Sequence, residues 1–270
     1  MLNYIDGYKF SEIADFAIDL DRQDFSLKML NQNSIIYCKT DFLPQLFNHL
    51  RFSGRKYILI THMSDYPINE TRFESRPDSI VKWYAENAIY DHNDLISIPI
   101  GLENHTGSSK GKFTNHKWLE ENINDLKNTT KKLALYCNWN SNTNPTRKNI
   151  SSILKQNHLS IVEEYGLNYE NYCSSMSKHK FIVCPPGNGV DTHRLWEALY
   201  LGCYPITLKH RIYKDFNLPI LQIEKWSDIT SDLLNDFINK WENQEYYHKL
   251  RMDYWSNKIL TEFSVINNRI

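Results

Sequence analysis

Short apolar runs alternate along the chain with longer segments whose apolar residues recur every three or four positions. Eight runs read as buried strands: 34–38 (SIIYC), 56–62 (KYILITH), 95–101 (LISIPIG), 132–138 (KLALYCN), 159–164, 180–185, 203–208 and 219–223. Between them, helical spacing predicts helices over 11–31, 41–51, 78–90, 115–127, 147–157, 169–177, 192–201 and 227–264. Strands alternating with helices imply an α/β fold with parallel sheets. The polar stretch NDLKNTTKK at 124–132 precedes a fresh apolar strand and marks the natural boundary. It divides the chain into lobes 1–128 and 129–250, and the aromatic-rich helix of 251–270 is expected to pack back on the body. One large doubly wound sheet is the alternative.

Composition narrows the classes. Of 270 residues, 41% are hydrophobic, which supports a sizeable core. Thirty-one basic residues balance 32 acidic ones, so a dedicated nucleic-acid binder is not expected. The five cysteines form no CxxC pair and read as reduced, buried thiols of a cytoplasmic protein. No window is long and apolar enough to span a membrane, and the N-terminus lacks the pattern of a signal peptide.

The stretch FIVCPPGNGVDTHRLWEALYLGCYPI, residues 181–206, carries the chemistry. A buried strand runs into Pro185, Pro186, Gly187, Asn188 and Gly189. Thr192 stands at an N-cap position, and His193 and Arg194 open a helix whose apolar stripe is Leu195, Ala198 and Leu199. Open α/β sheets bind ligands at the C-terminal ends of their strands. A helix N-terminus there offers N–H groups and partial positive charge to phosphate, and Arg194 adds a fork of donors. Gly187 and Gly189 let backbone approach closely. Glu197 lies about 4.5 Å further along the helix axis, on the face of Arg194, where a carboxylate accepts from the vicinal hydroxyls of a ribose. Diphosphate at the helix tip with ribose one turn deeper is the outline of a nucleotide. Two other readings stay open: Arg194 and Glu197 simply pair with each other, or Gly187-Asn188-Gly189 is part of a dinucleotide GxGxxG whose third position is Thr192.

The same segment resembles the C-terminal signature of exostosin-like glycosyltransferases: strand, Pro/Gly loop, Arg, Glu-Ala-Leu, then Gly-Cys-x-Pro-Ile. The later FNLPILQIEKWSDI is similar to that family's apolar strand followed by Trp. The resemblance is specific over about 181–228, looser over 133–147 and only architectural over 1–128. It implies a GT-B fold of two Rossmann-like lobes whose parallel sheets face a central cleft, in a soluble microbial or viral type without the membrane anchor of Golgi exostosins. It further implies inverting transfer to a glycan hydroxyl, with no obligatory metal and no cofactor besides the nucleotide-sugar substrate. The expected donor is a UDP-sugar, a pentose such as xylose among the candidates, with GDP-fucose as rival. Arg194 would contact the donor diphosphate and Glu197 its ribose. Arg147, opening a helix after Pro145, suits a second phosphate ligand; Asn188 and Asp191 suit sugar hydroxyls; Thr192 and His193 complete the donor set.

Inverting transfer needs a base for the acceptor hydroxyl. Asp65 and His62 fall in THMSDYPI, just after a predicted strand, and Glu103 follows another in PIGLEN. Asp65 comes first because Pro67 stiffens its loop, with His62 and Glu103 behind; Asp41 is a further carboxylate at a strand end. Asp19-Leu20-Asp21 mimics a metal-binding DxD but falls inside a predicted helix, so no metal is expected there. Two other classes remain: a Rossmann-type NAD-dependent enzyme and a non-catalytic carbohydrate-binding protein using its 17 tyrosines and seven tryptophans. The sequence leaves the oligomeric state open.

Overall fold

The fold is that of a computed structural model, which describes residues 3–23, 30–103 and 112–267. The chain forms two compact units. The first comprises the described residues of 3–100, 211–216 and 251–270; the second comprises those of 101–210 and 217–250.

The first unit holds strands β1 (Phe16–Ile18), β2 (Ile35–Lys39), β3 (Tyr57–His62), β4 (Ile80–Ala85) and β5 (Leu95–Ser97). They form a parallel sheet in the order β1-β2-β3-β4-β5. Helices α1 (Gly7–Glu12), α2 (Leu43–Leu50), α3 (Glu70–Glu74) and the C-terminal α9 belong to this unit. Ile36, Cys38, Leu59 and Trp83 of the sheet pack in one buried cluster with Leu46 and Leu50 of α2 and Phe73 of α3. Helix α9 (Met252–Asn267) is tied to this unit by Glu262, whose carboxylate accepts from Tyr84 Oη at 2.5 Å, and by the Met252 N–H to Asn3 carbonyl bond.

The second unit holds β6 (Lys132–Cys137), β7 (Ser160–Val162), β8 (His179–Val183), β9 (Tyr204–Leu208) and β10 (Leu221–Ile223). With them are α4 (Lys112–Asn128), α5 (Thr146–Leu154), α6 (Tyr169–Met176), α7 (His193–Tyr200) and α8 (Ser231–Trp241). The sheet is again parallel, in the order β10-β9-β8-β6-β7. Leu135, Phe181, Val183 and Ile206 meet Ile150 and Leu154 of α5 and Leu234 and Ile238 of α8 in its core. All five cysteines are buried and unpaired. Among the described residues no helix is long and apolar enough to cross a membrane.

The α/β class with two parallel-sheet units agrees with the sequence reading and with the composition of a GT-B fold. All eight expected strands are present, at shifted ends. Two expected helices are corrected. Helix 78–90 is instead strand β4, flanked on both sides in the sheet. Ile80, Trp83 and Tyr84 imitate helical spacing, and periodicity alone cannot separate a strand buried on both faces from a buried helix. Helix 11–31 gives way to α1 and then β1, while 24–29 of that span lie outside the described residues. Pairing with β2 decides it. Asp15 N–H donates to the Ile35 carbonyl, and Ile35 N–H donates back to the Asp15 carboxylate at 2.8 Å.

Candidate functional site

The strand order singles out one place. In the second unit the chain passes from β6 outward to β7, then returns across β6 to β8. The direction of winding reverses between β6 and β8, and the loops beyond the C-terminal ends of strands at such a reversal are the ordinary ligand site of open α/β sheets. The sheet of the first unit runs in sequence order and contains no such reversal. Arg147 opens the helix after β6, and His193 and Arg194 open the helix after β8.

Arg147 is 5% exposed. Its Nε donates to the Pro186 carbonyl (2.9 Å), Nη1 to Asn140 (3.1 Å) and Nη2 to Pro185 (3.2 Å). It therefore clamps the loop after β6 to the loop after β8, leaving two of its five N–H groups outside these bonds. Burial, with the nearby Arg194 charge, lowers its pKa to about 10. Asn144 Nδ2 reinforces the clamp, donating to the Gly187 carbonyl at 2.7 Å. A Cβ on Gly187 would stand 3.3 Å from Arg147 Nη2, so the absent side chain lets the guanidinium lie against the loop. Gly189 accepts the Gly187 N–H, and Asn188 is exposed.

Asp191 is an internal brace. One carboxylate oxygen accepts the Thr192 N–H and the other the Trp196 indole N–H, each at 2.9 Å. Thr192 holds the N-cap position of α7 but makes no side-chain cap bond, because the Leu195 N–H already bonds the Thr192 carbonyl at 3.0 Å. Its hydroxyl is buried and has no hydrogen-bond partner among the described residues. His193 Nδ1 meets the Gly101 carbonyl at 2.9 Å.

Arg194 and Glu197 do not pair directly. Tyr172 of α6 stands between them: its hydroxyl accepts from Arg194 Nε and donates to Glu197 Oε2, both at 3.1 Å. The terminal amino groups of Arg194 make no hydrogen bond among the described residues, which leaves unpaired a planar edge of the kind that can bind carboxylate or phosphate. Glu197 is 8% exposed. Burial raises its pKa against the effects of His193, of the Arg194 charge and of the Tyr172 bond, and Glu103, half-buried in the same unit, adds to the rise. Tyr172 was missed by sequence reasoning; its only signal is a tyrosine in an unremarkable amphipathic helix.

The remaining candidates lie at the C-terminal edge of the first unit's sheet. His62 is fully buried, and its Nε2 donates to the Pro99 carbonyl at 3.0 Å. A carbonyl only accepts, so in the neutral ring Nδ1 is the acceptor, and it takes the Met63 N–H at 2.8 Å. Glu86 Oε2 lies 3.1 Å from the same nitrogen and accepts the same N–H. Burial lowers the His62 pKa to about 4 and raises that of Glu86 to about 8, the latter against the Met63 and Ser64 N–H bonds. Burial thus disfavours the charged form of both groups. Met63 (φ 62°) and Asn87 (φ 53°), one beside each, adopt the left-handed conformation. Asp65 is exposed on the loop that this pair anchors. Asp41 pairs with Lys39, and its pKa is lowered because Lys39 and Ser64 outweigh the effect of burial. Glu86 was missed because it ends a strand that had been read as a helix. Asp19 sits in the turn after β1 with its carboxylate bound to Arg22 and to the Asp21 and Arg22 N–H groups.

The buried pair makes a testable claim about pH. The Glu86 folded pKa, near 8, exceeds its unfolded value of 4.5, so its contribution is full below pH 4.5 and is lost as pH rises through 8. The His62 folded pKa, near 4, lies below 6.5, so its contribution is full above pH 6.5 and is lost as pH falls through 4. Glu86→Gln removes only the alkaline loss. Its Tm relative to wild type should therefore climb by several degrees between pH 5 and pH 8.5, reflecting a few kcal/mol. A constant difference would mean that Glu86 is ionised in the folded protein.

No family model matches the sequence. Two curated plant proteins align with part of it. A probable glucuronosyltransferase of Oryza sativa subsp. japonica is 33% identical over 94 residues, which is 31% of this chain and 21% of the rice protein. A probable glycosyltransferase of Arabidopsis thaliana is 34% identical over 77 residues, 26% of this chain and 16% of that protein. The chain thus aligns with about a fifth of the rice relative or less of the other. These partial likenesses support a glycosyltransferase relationship and a role in glycosyl transfer.

Proposed function

We propose that the chain is an inverting glycosyltransferase that moves a sugar from a nucleotide-sugar, a UDP-sugar first, to a glycan hydroxyl. The observation that carries this reading is the open guanidinium edge of Arg194 at the winding reversal of the second sheet, linked through Tyr172 to the buried Glu197. The diphosphate sits against Arg194 and the start of α7, the ribose hydroxyls donate to Glu197, and the sugar lies along the loop 187–191 held by Arg147. Asp65 is the proposed base. The leaving diphosphate is met by fixed cationic and N–H groups rather than by a metal.

A thermal-shift panel tests this. UDP or GDP should raise Tm as RT ln(1 + [L]/Kd) requires, whereas NAD and free glycan should not. UDP-glucuronic acid joins UDP-xylose and GDP-fucose among the donors, because one partial relative is named a glucuronosyltransferase. Transfer should survive EDTA. Stabilisation by NAD alone would replace the reading with a dinucleotide enzyme. Loss of transfer in EDTA, restored by manganese, would replace the metal-free mechanism.

A further inference from the structure

We propose that His193 is the proton-carrying ligand of the leaving diphosphate, taking up a proton when the nucleotide binds. This rests on the glycosyltransferase reading of the same site.

The geometry fixes the ring. Nδ1 lies 2.9 Å from the Gly101 carbonyl. A carbonyl offers no proton, so Nδ1 carries one and the neutral tautomer has its lone pair on Nε2. Nε2 has no hydrogen-bond partner among the described residues. His193 is the first residue of α7, between Thr192 with its unpartnered hydroxyl and Arg194 with its open guanidinium edge. His193 acts on Glu197, which also feels Arg194 of α7, Tyr172 of α6 and Glu103 beyond Gly101, and Arg194 in turn acts on Arg147 of α5.

A bare lone pair facing a phosphate oxygen is repulsive, whereas a protonated Nε2 donates a charge-assisted hydrogen bond. Imidazole is the side chain suited to such a change of charge, and a phosphate oxygen at Nε2 selects the protonated ring. The advantage grows during the reaction. The acceptor oxygen bonds the anomeric carbon while the bond from that carbon to the phosphate oxygen breaks, and its electron pair leaves with the diphosphate. The acceptor proton goes to the base. His193 keeps its own proton, hydrogen-bonded to the oxygen that has just gained charge, so the interaction is stronger in the transition state than in the bound donor.

The test is calorimetry of UDP and of GDP near pH 7.5, in two buffers of different ionisation enthalpy, on wild type, His193→Gln and His193→Asn. Gln keeps a neutral donor near Nε2, and Asn keeps one near Nδ1 to hold the Gly101 bond. Melting curves establish that each variant is folded. Wild type should take up more protons on binding than either variant, by up to about one. Its affinity should fall more steeply from pH 6 to 8, and the variants should bind about tenfold more weakly at the acid end. Equal proton uptake in wild type and variants, with the nucleotide still bound, overturns the role of His193 and leaves the diphosphate site standing. Binding of neither nucleotide to wild type overturns the diphosphate reading and His193 with it.

Discussion

Arg194→Ala should weaken UDP or GDP binding at least tenfold and lower transfer by no less, while the fold persists. A charge-assisted hydrogen bond to phosphate is worth about 1.5–3 kcal/mol, and Arg194 has two terminal amino groups to offer. Among the described residues only Nε of that guanidinium is hydrogen-bonded, to Tyr172. Calorimetry with the nucleotide is the direct measurement. Tyr172→Phe supplies the internal control. It keeps the ring and deletes the hydroxyl that joins Arg194 to Glu197 while leaving the guanidinium in place, so it should weaken binding less than Arg194→Ala does. Unchanged affinity in a folded Arg194→Ala protein would remove the diphosphate from this end of α7. Arg147→Ala should behave differently. Its bonds tie Asn140 to Pro185 and Pro186, so Tm should fall along with affinity.

Chain order carried much of this site. The strand, the Pro/Gly loop and Arg194 with Glu197 on one helix face are consecutive, and local rules of strand, turn and cap suffice to place them. Residues that act across the chain were harder to read. Tyr172 meets Arg194 only because α6 packs beside α7. Arg147, read as a phosphate ligand from its place at a helix start, has neighbours made of carbonyls 38 to 39 residues further on. Asp191 resembles a sugar ligand in sequence, yet its two oxygens face the Thr192 N–H and the Trp196 indole. In the first unit the errors follow from one physical ambiguity. A strand covered on both faces has no alternation to display, so β4 passed for a helix and Glu86 at its end went unseen. The strand order, and with it the winding reversal that locates the candidate site, is a property of non-local pairing that no window of sequence contains.

Asp65→Asn should reduce transfer 10²–10⁴-fold while UDP or GDP still stabilises the protein, the signature of a lost general base. A base must be unprotonated, and within reach of the acceptor hydroxyl. His62 fails on reach, being fully buried with both ring nitrogens engaged. Glu86 fails on reach, since it is 2% exposed, and burial favours its protonated form. Asp41 is held by Lys39. Asp65 is exposed, and its loop is fixed from beneath: the Met63 N–H is bound by Glu86 and His62, and Asn87 Nδ2 reaches the Ser64 carbonyl at 3.5 Å. That support is what a catalytic loop needs to hold a carboxylate steady without burying it. Asp65→Glu, which moves the carboxylate by one methylene, should recover part of the rate, and a purely structural aspartate would not show this ordering. Full transfer by Asp65→Asn would pass the role to Glu103. Glu103→Gln would then carry the rate loss, together with a change in nucleotide affinity, because Glu103 acts on Glu197.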